Sequence, residues 1–144
     1  MKNIFAFILL GIILGSCSDD DTNIGYVSDC EVISQVIDEV PFQGIETYNY
    51  LITDIEMNQN CLEITFASGG CDGNTWEVNL FSKDVLLDAL PLQRVVKMEL
   101  LSEEICLAYI EQTISFDLTP FQIEGQNEVP LNIEGLEEVI IYQY

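Results

Sequence analysis

The 144-residue chain contains no histidine. Without an imidazole there is no Ser-His-Asp triad and no Cys-His pair, so the usual ways of activating a nucleophile are excluded. Cations are nearly as scarce: Lys and Arg total four against 25 Asp and Glu, a formal net charge of −21 at pH 7. A field of that sign repels nucleic-acid phosphates and anionic lipid surfaces, which excludes nucleic acid as a partner and diffusely favours cationic partners or divalent ions. Long apolar runs are also missing, with one exception. Ile4 to Leu14 (IFAFILLGIIL) is unbroken, but as a helix it reaches roughly 16 Å against the ~30 Å of a bilayer's hydrocarbon core. It is too short to span. Acidity here does not mean disorder, because 49% of the chain is hydrophobic, with seven Phe and six Tyr to build a core.

That apolar run follows Lys2 and ends in small residues before Cys17, the layout of a secretory signal. Leu14-Gly15-Ser16-Cys17 resembles the lipobox cut by lipoprotein signal peptidase. The resemblance implies that Cys17 becomes the first mature residue and carries a thioether-linked diacylglycerol and an N-acyl chain. At about 0.8 kcal/mol per buried methylene, three chains make a practically permanent anchor, so the lipid bilayer is an expected partner through Cys17. The following Ser18-Asp19-Asp20-Asp21 resembles the acidic signal that carries lipoproteins of Bacteroidota to the outer face of the outer membrane. The same acids also read as a solvated tether, since like charges extend a chain. The expected organisation is a signal peptide at 1–16, a lipidated and acidic tether at 17–29, and one domain at 30–144. The expected location is the outer membrane facing the exterior, with the periplasmic face as the alternative.

Five cysteines are odd for an exported protein until Cys17 is given to lipid. Cys30, Cys61, Cys71 and Cys106 remain, and in an oxidising compartment two disulfides follow, with three possible connectivities. Their spacing does not match paired CxxC zinc ligands, so no metal and no cofactor is expected.

From Cys30 onward the chain reads as short strands. Cys30–Ile37 (CEVISQVI) is β-branched, and Pro41 and Gly44 then punctuate. In Glu46–Met57, Tyr48 and Tyr50 share a face with Ile52 while Leu51, Ile55 and Met57 take the other, so the stretch is apolar on both sides. Asn58-Gln59-Asn60 makes a turn into Cys61–Ala67, where Leu62, Ile64 and Phe66 alternate with Glu63 and Thr65. Ser68 to Asn74 is a second turn, rich in residues that tolerate positive φ. Trp76, Val78 and Leu80 alternate next, and Lys83–Leu90 is the one segment that suggests a short helix, stopped by Pro91. Strands return at Arg94–Leu101, at Ile105–Ile110, at Ile114–Leu118, around Val129, Leu131 and Ile133, and at Val139–Tyr144. Seven to nine strands with at most one short helix predict an all-β fold, a single β-sandwich of Ig-like or related Greek-key type, with a small β-barrel as the alternative.

Gly69-Gly70-Cys71, Cys106, the run Ser115-Phe116-Asp117-Leu118-Thr119-Pro120 and the closing Tyr142-x-Tyr144 together resemble a group of small uncharacterised lipoproteins of Bacteroidota. The resemblance covers about the last 85 residues, and it implies a surface setting and a β fold but no defined activity. Relatives of this pattern often carry a histidine shortly after Gly-Gly-Cys, where this chain has Asp72-Gly73-Asn74-Thr75-Trp76. No role of that histidine carries over. The adopted pairing is Cys71 with Cys106, which the resemblance supports, and Cys30 with Cys61.

Other chemistry is thin. Glu63, Asp72, Glu77, Glu103 and Glu104 could form the paired carboxylates of a glycan-active enzyme, although so many acids produce pairs by chance. Asp72-Gly73-Asn74 with Glu77 suggests calcium but lacks the twelve-residue ligand spacing, and reads better as a turn beside a disulfide. Trp76 with Tyr48, Tyr50, Tyr142 and Tyr144 could be a platform for sugar or protein, yet the parity of Trp76, Tyr142 and Tyr144 with core positions assigns them inward. Phe116 and Leu118 read as core and Asp117 as exposed or turn-bonding. The expectation is a non-catalytic binding or structural accessory module, with a protein or glycan ligand that no motif names. The alternatives are the carboxylate enzyme and a calcium-dependent binding protein.

Overall fold

The structure, a computed structural model, describes residues 28–144. Cys17 and Ser18–Asp21 lie outside the described residues, as does the boundary assigned between 16 and 17. Alternation of apolar and polar side chains builds nine strands: β1 (Val32–Ile33), β2 (Gln35–Ile37), β3 (Leu51–Asn58), β4 (Cys61–Gly70), β5 (Glu77–Lys83), β6 (Arg94–Leu101), β7 (Ala108–Asp117), β8 (Glu128–Ile133) and β9 (Ile140–Gln143). They form two sheets, β1-β7-β4-β3 (sheet A) and β2-β5-β6-β8-β9 (sheet B). The sandwich of the sequence reading therefore forms, and the closed barrel does not. β1 with β7, β2 with β5, and β6 with β8 run parallel, and the other pairings are antiparallel.

The core lies between the sheets. Leu62, Ile64 and Phe66 of β4 and Phe116 of β7 face Leu80 of β5, Val96, Met98 and Leu100 of β6, Val129 and Leu131 of β8 and Tyr142 of β9. Each is at most a few per cent exposed, as the period-two pattern requires when one face of each sheet meets the other.

Several elements differ from the sequence reading. Cys30–Ile37 is not one strand: the chain leaves sheet A after Ile33, passes through the buried Ser34 and joins sheet B at Gln35. The Pro41 region forms a helix, α1 (Glu39–Gln43), whose Phe42 is buried. Proline fits there because the first helical turn has no N–H to satisfy. Lys83–Leu90 is not helical. Lys83 ends β5, Leu87 makes an isolated bridge to Gln93, and Val85 and Leu90 are exposed. With no surface on which to bury an apolar stripe, eight residues cannot sustain a helix. Ile105–Ile110 and Ile114–Leu118 are not two strands, since β7 runs through without a turn. In β3 the register shifts between Ile52 and Asp54. This bulge puts an extra residue in the strand and reverses its parity, so that Tyr50, Ile52, Ile55 and Met57 all pack on the core while Leu51 stays exposed.

Candidate functional site

The landmark for both ends is β4, ten residues or roughly 30 Å from end to end. Cys61 opens it and Cys71 follows it, and each is in a disulfide. Cys30 is bonded to Cys61 with Cα atoms 5.7 Å apart, and Cys71 to Cys106 at 4.7 Å, the pairing read from the sequence. The two bridges thus staple opposite ends of the sandwich. At one end the N-terminal segment arrives: Ser28, Asp29 and Cys30 border a hollow of about 310 Å³ with Asn60, Cys61 and Glu63. At the far end, loop 71–76 joins β4 to β5 and loop 102–107 joins β6 to β7.

One carboxylate organises the far end. Glu104 Oε2 accepts the backbone N–H groups of Cys71, Asp72 (3.3 Å) and Gly73 (3.2 Å), while Oε1 accepts the Thr75 hydroxyl at 3.0 Å. Successive N–H groups converging on one point form an anion-binding nest, here filled by the chain's own side chain. Partial desolvation opposes ionisation of Glu104, but the N–H groups of Cys71 and Gly73, the Thr75 hydroxyl and the Asp72 N–H outweigh it, and hold the carboxyl down at about 2. The loop fits only with glycine at two places. A Cβ on Gly70 would meet Glu104 and come within 2.9 Å of the Trp76 ring, and Gly73 has φ of +72°. Asp72 Oδ1 accepts the Asn74 N–H at 3.0 Å, and Gln112 Nε2 donates to the Gly73 carbonyl at 3.0 Å.

The structure disperses the other candidates. Glu63 is at the end where the N-terminal segment arrives, while Glu77 and Glu103 border a hollow of about 510 Å³ at the far end with Thr75, Leu101 and Ser102. Asp72 is turned into its own loop and Glu104 into the nest, so the proposed calcium ligands Asp72 and Glu77 serve separate surroundings. No group of three acidic or sulfur ligands among the described residues is arranged to hold a metal. The aromatics form no common platform. Trp76 stacks at 5.8 Å on Phe66 at the margin of the core. Tyr50 donates its hydroxyl to the Met98 carbonyl at 2.6 Å, and Tyr142 is fully buried and donates to Asn60 Oδ1 at 2.7 Å. Tyr144 bonds Ile123 through its hydroxyl, and only Tyr48 of the set stands in solvent. Asp117 is buried, and it is turn-bonding, accepting the Thr119 N–H at 2.9 Å.

Two features escape sequence reasoning. Arg94 is buried at the start of β6, where its Nε donates to the Phe121 carbonyl at 2.7 Å and its guanidinium lies over the Phe121 ring; burial lowers its pKa. The far end also displays apolar side chains: Ile105 is 92%, Leu107 96% and Tyr109 70% exposed. The alternation of Ile105, Leu107 and Tyr109 was the available signal, but it reads equally as core.

No family model matches the chain, and no curated protein matches it either. Two solved structures share the fold. One is a DUF1344 protein of unknown function from Bacteroides vulgatus, with a TM-score of 0.53 and 12% identity over 78% of this chain and 57% of that one. The other is a toxin-related protein from Parabacteroides distasonis, with a TM-score of 0.50 and 14% identity over 78% of this chain and 58% of its own. The chain spans less than two thirds of either protein, and at these identities what it shares with them is the β-sandwich.

Proposed function

We propose that this chain is a lipoprotein of the outer membrane, acylated on Cys17 and carried to the outer face by Ser18–Asp21, whose sandwich is a non-catalytic binding or structural accessory module. The observation that carries the reading is the polarity of the sandwich. The N-terminal segment arrives at one end, locked by Cys30–Cys61, and the opposite end presents two loops welded by Cys71–Cys106 and Glu104. That is the layout of a head held away from a membrane by a tether. Glu104 has both oxygens bonded by loop 71–76 and a depressed pKa, which suits a structural role and not proton transfer at neutral pH.

Mass spectrometry of the protein extracted from membranes tests the anchor. The N-terminal peptide should begin at Cys17 and carry the mass of three acyl chains, and Cys17→Ala should release the sandwich from the membrane fraction. An unacylated N-terminus, or a Cys17→Ala protein that stays membrane-bound, overturns the reading. A second reading, a carboxylate-based glycan-active enzyme, draws on Glu77 and Glu103 bordering one hollow. It requires turnover of a polysaccharide that Glu77→Gln or Glu103→Gln abolishes.

A further inference from the structure

The geometry points to the exposed edge of β7, Ala108–Ile114, as a docking edge for an extended cationic segment of a protein partner, which adds to sheet A as a further strand. On one side β7 is paired with β4 without a break, from Cys61 opposite Asp117 to Gly70 opposite Ala108. On the other side β1 covers only Phe116 and Asp117. Which backbone groups face that side is fixed by two hydrogen bonds: Asp117 accepts the Ser34 N–H at 3.1 Å, and the Ser115 N–H donates to Glu31 Oε2 at 2.9 Å. The Leu118 N–H points the opposite way, to Asn60 on the β4 side. Because these directions alternate along an antiparallel strand, the N–H and C=O groups of Tyr109, Glu111 and Thr113 face the uncovered side, where no strand pairs with them among the described residues. The chain preceding β1 does not run up this edge at 28–30, since Cys30 is bonded to Cys61 and Ser28 and Asp29 border the β3–β4 turn.

Sheet edges are ordinarily blunted. β3 carries a bulge, β2 has three residues and β9 four. The open stretch of β7 has no Pro, Gly, Lys or bulge. Its surroundings select the partner's chemistry. Glu111 lies on the stretch, its exposed carboxylate also accepting the Thr53 hydroxyl at 3.3 Å, Glu31 flanks one end, and Asp72 and Glu103 are in the loops at the other. The described cations are placed elsewhere: Arg94 is buried, Lys97 pairs with Glu134 at 3.5 Å, and Lys83 is in sheet B. A net charge of −21 opposes a second copy and attracts Lys and Arg. The exposed Ile105, Leu107 and Tyr109 supply apolar neighbours for alternate residues of the incoming strand, so main-chain bonds and side-chain contacts both contribute.

This inference rests on reading the sandwich as a binding module, while the Cys17 anchor is measured independently, so either can fail without the other. The test is amide hydrogen exchange on the full chain in mild detergent, with an alternating Lys-Val octapeptide as probe. The Tyr109, Glu111 and Thr113 amides should slow about tenfold or more at saturation. Thr113→Pro removes an outward N–H and leaves the backbone pairing with β4, losing only the hydroxyl contact to Thr65, and should abolish the effect. Glu111→Lys should weaken the Lys-Val peptide about fivefold, and this variant decides the matter if the proline variant does not fold. Any of the following overturns the proposal: no slowing at these amides; equal slowing with a Glu-Val peptide or a proline-interrupted lysine peptide; or slowing already present without peptide. In the last case dependence on protein concentration marks a second copy, and independence marks the chain's own N-terminal segment.

Discussion

Glu104 does at the residue scale what no feature of its neighbourhood in the sequence announces. It sits 31 to 33 residues from the N–H groups it receives, so its role exists only once β4 and β7 have brought the two loops together. Its depressed pKa is a statement about stability. A carboxyl whose folded value is about 2 contributes fully above the ordinary carboxylate range and loses its contribution as pH falls through the folded value. Glu104→Gln should therefore lower the urea midpoint at pH 7 by an amount that stays constant toward higher pH. That difference should shrink below about pH 4.5 and close near pH 2; urea titrations of both proteins across this range measure it. A gap that persists at pH 2 would assign the effect to packing and not to charge. Gly70 and Gly73 belong to the same arrangement, and their part was partly legible, because Gly-Gly-Cys-Asp-Gly marks a loop with close approaches and positive φ.

At the scale of elements, β3 shows how a single residue can invert a pattern. Read with strict period two, its apolar residues divide between two faces, which describes no sheet with one wet side. The bulge at Thr53 resolves the conflict, since it lets Ile52 and Ile55 both point inward. Deleting Thr53 should force either Tyr50 and Ile52 or Ile55 and Met57 out of the core. Each large apolar side chain lost from burial is worth about 1.5–3 kcal/mol, so chemical denaturation should report a loss of more than about 3 kcal/mol. Leu51→Thr, on the exposed side of the same strand, should stay within about 0.5 kcal/mol of the parent. The other element-level differences have the same origin. Ser34, α1 and the unbroken β7 are decided by which sheet the chain can reach, and the segment 83–90 does not become a helix because its apolar residues find no surface to cover.

Over the whole molecule, the two disulfides act at opposite ends of one strand, and their loops of 31 and 35 residues are long enough for each to restrict the unfolded chain appreciably. Replacing Cys71 and Cys106 by Ser should cost about 2–4 kcal/mol in urea unfolding, and should also release Ile105 and Leu107 from their fixed display. Replacing Cys30 and Cys61 should cost a similar amount while leaving the far end intact, which hydrogen exchange of loop 71–76 would verify. The sequence by itself determined the class of fold, the inward-facing sets of β4, β6 and β8, the even number of cysteines left for bridges, and the exclusion of histidine chemistry. These follow from composition and from periodicity between residues two apart, which are local properties. Tertiary structure alone decided that three strand pairs run parallel, that Glu104 fills the nest of loop 71–76, that Arg94 is buried, and that β7 keeps an uncovered edge. Each of those depends on segments tens of residues apart meeting at a particular register, and no local pattern carries that information.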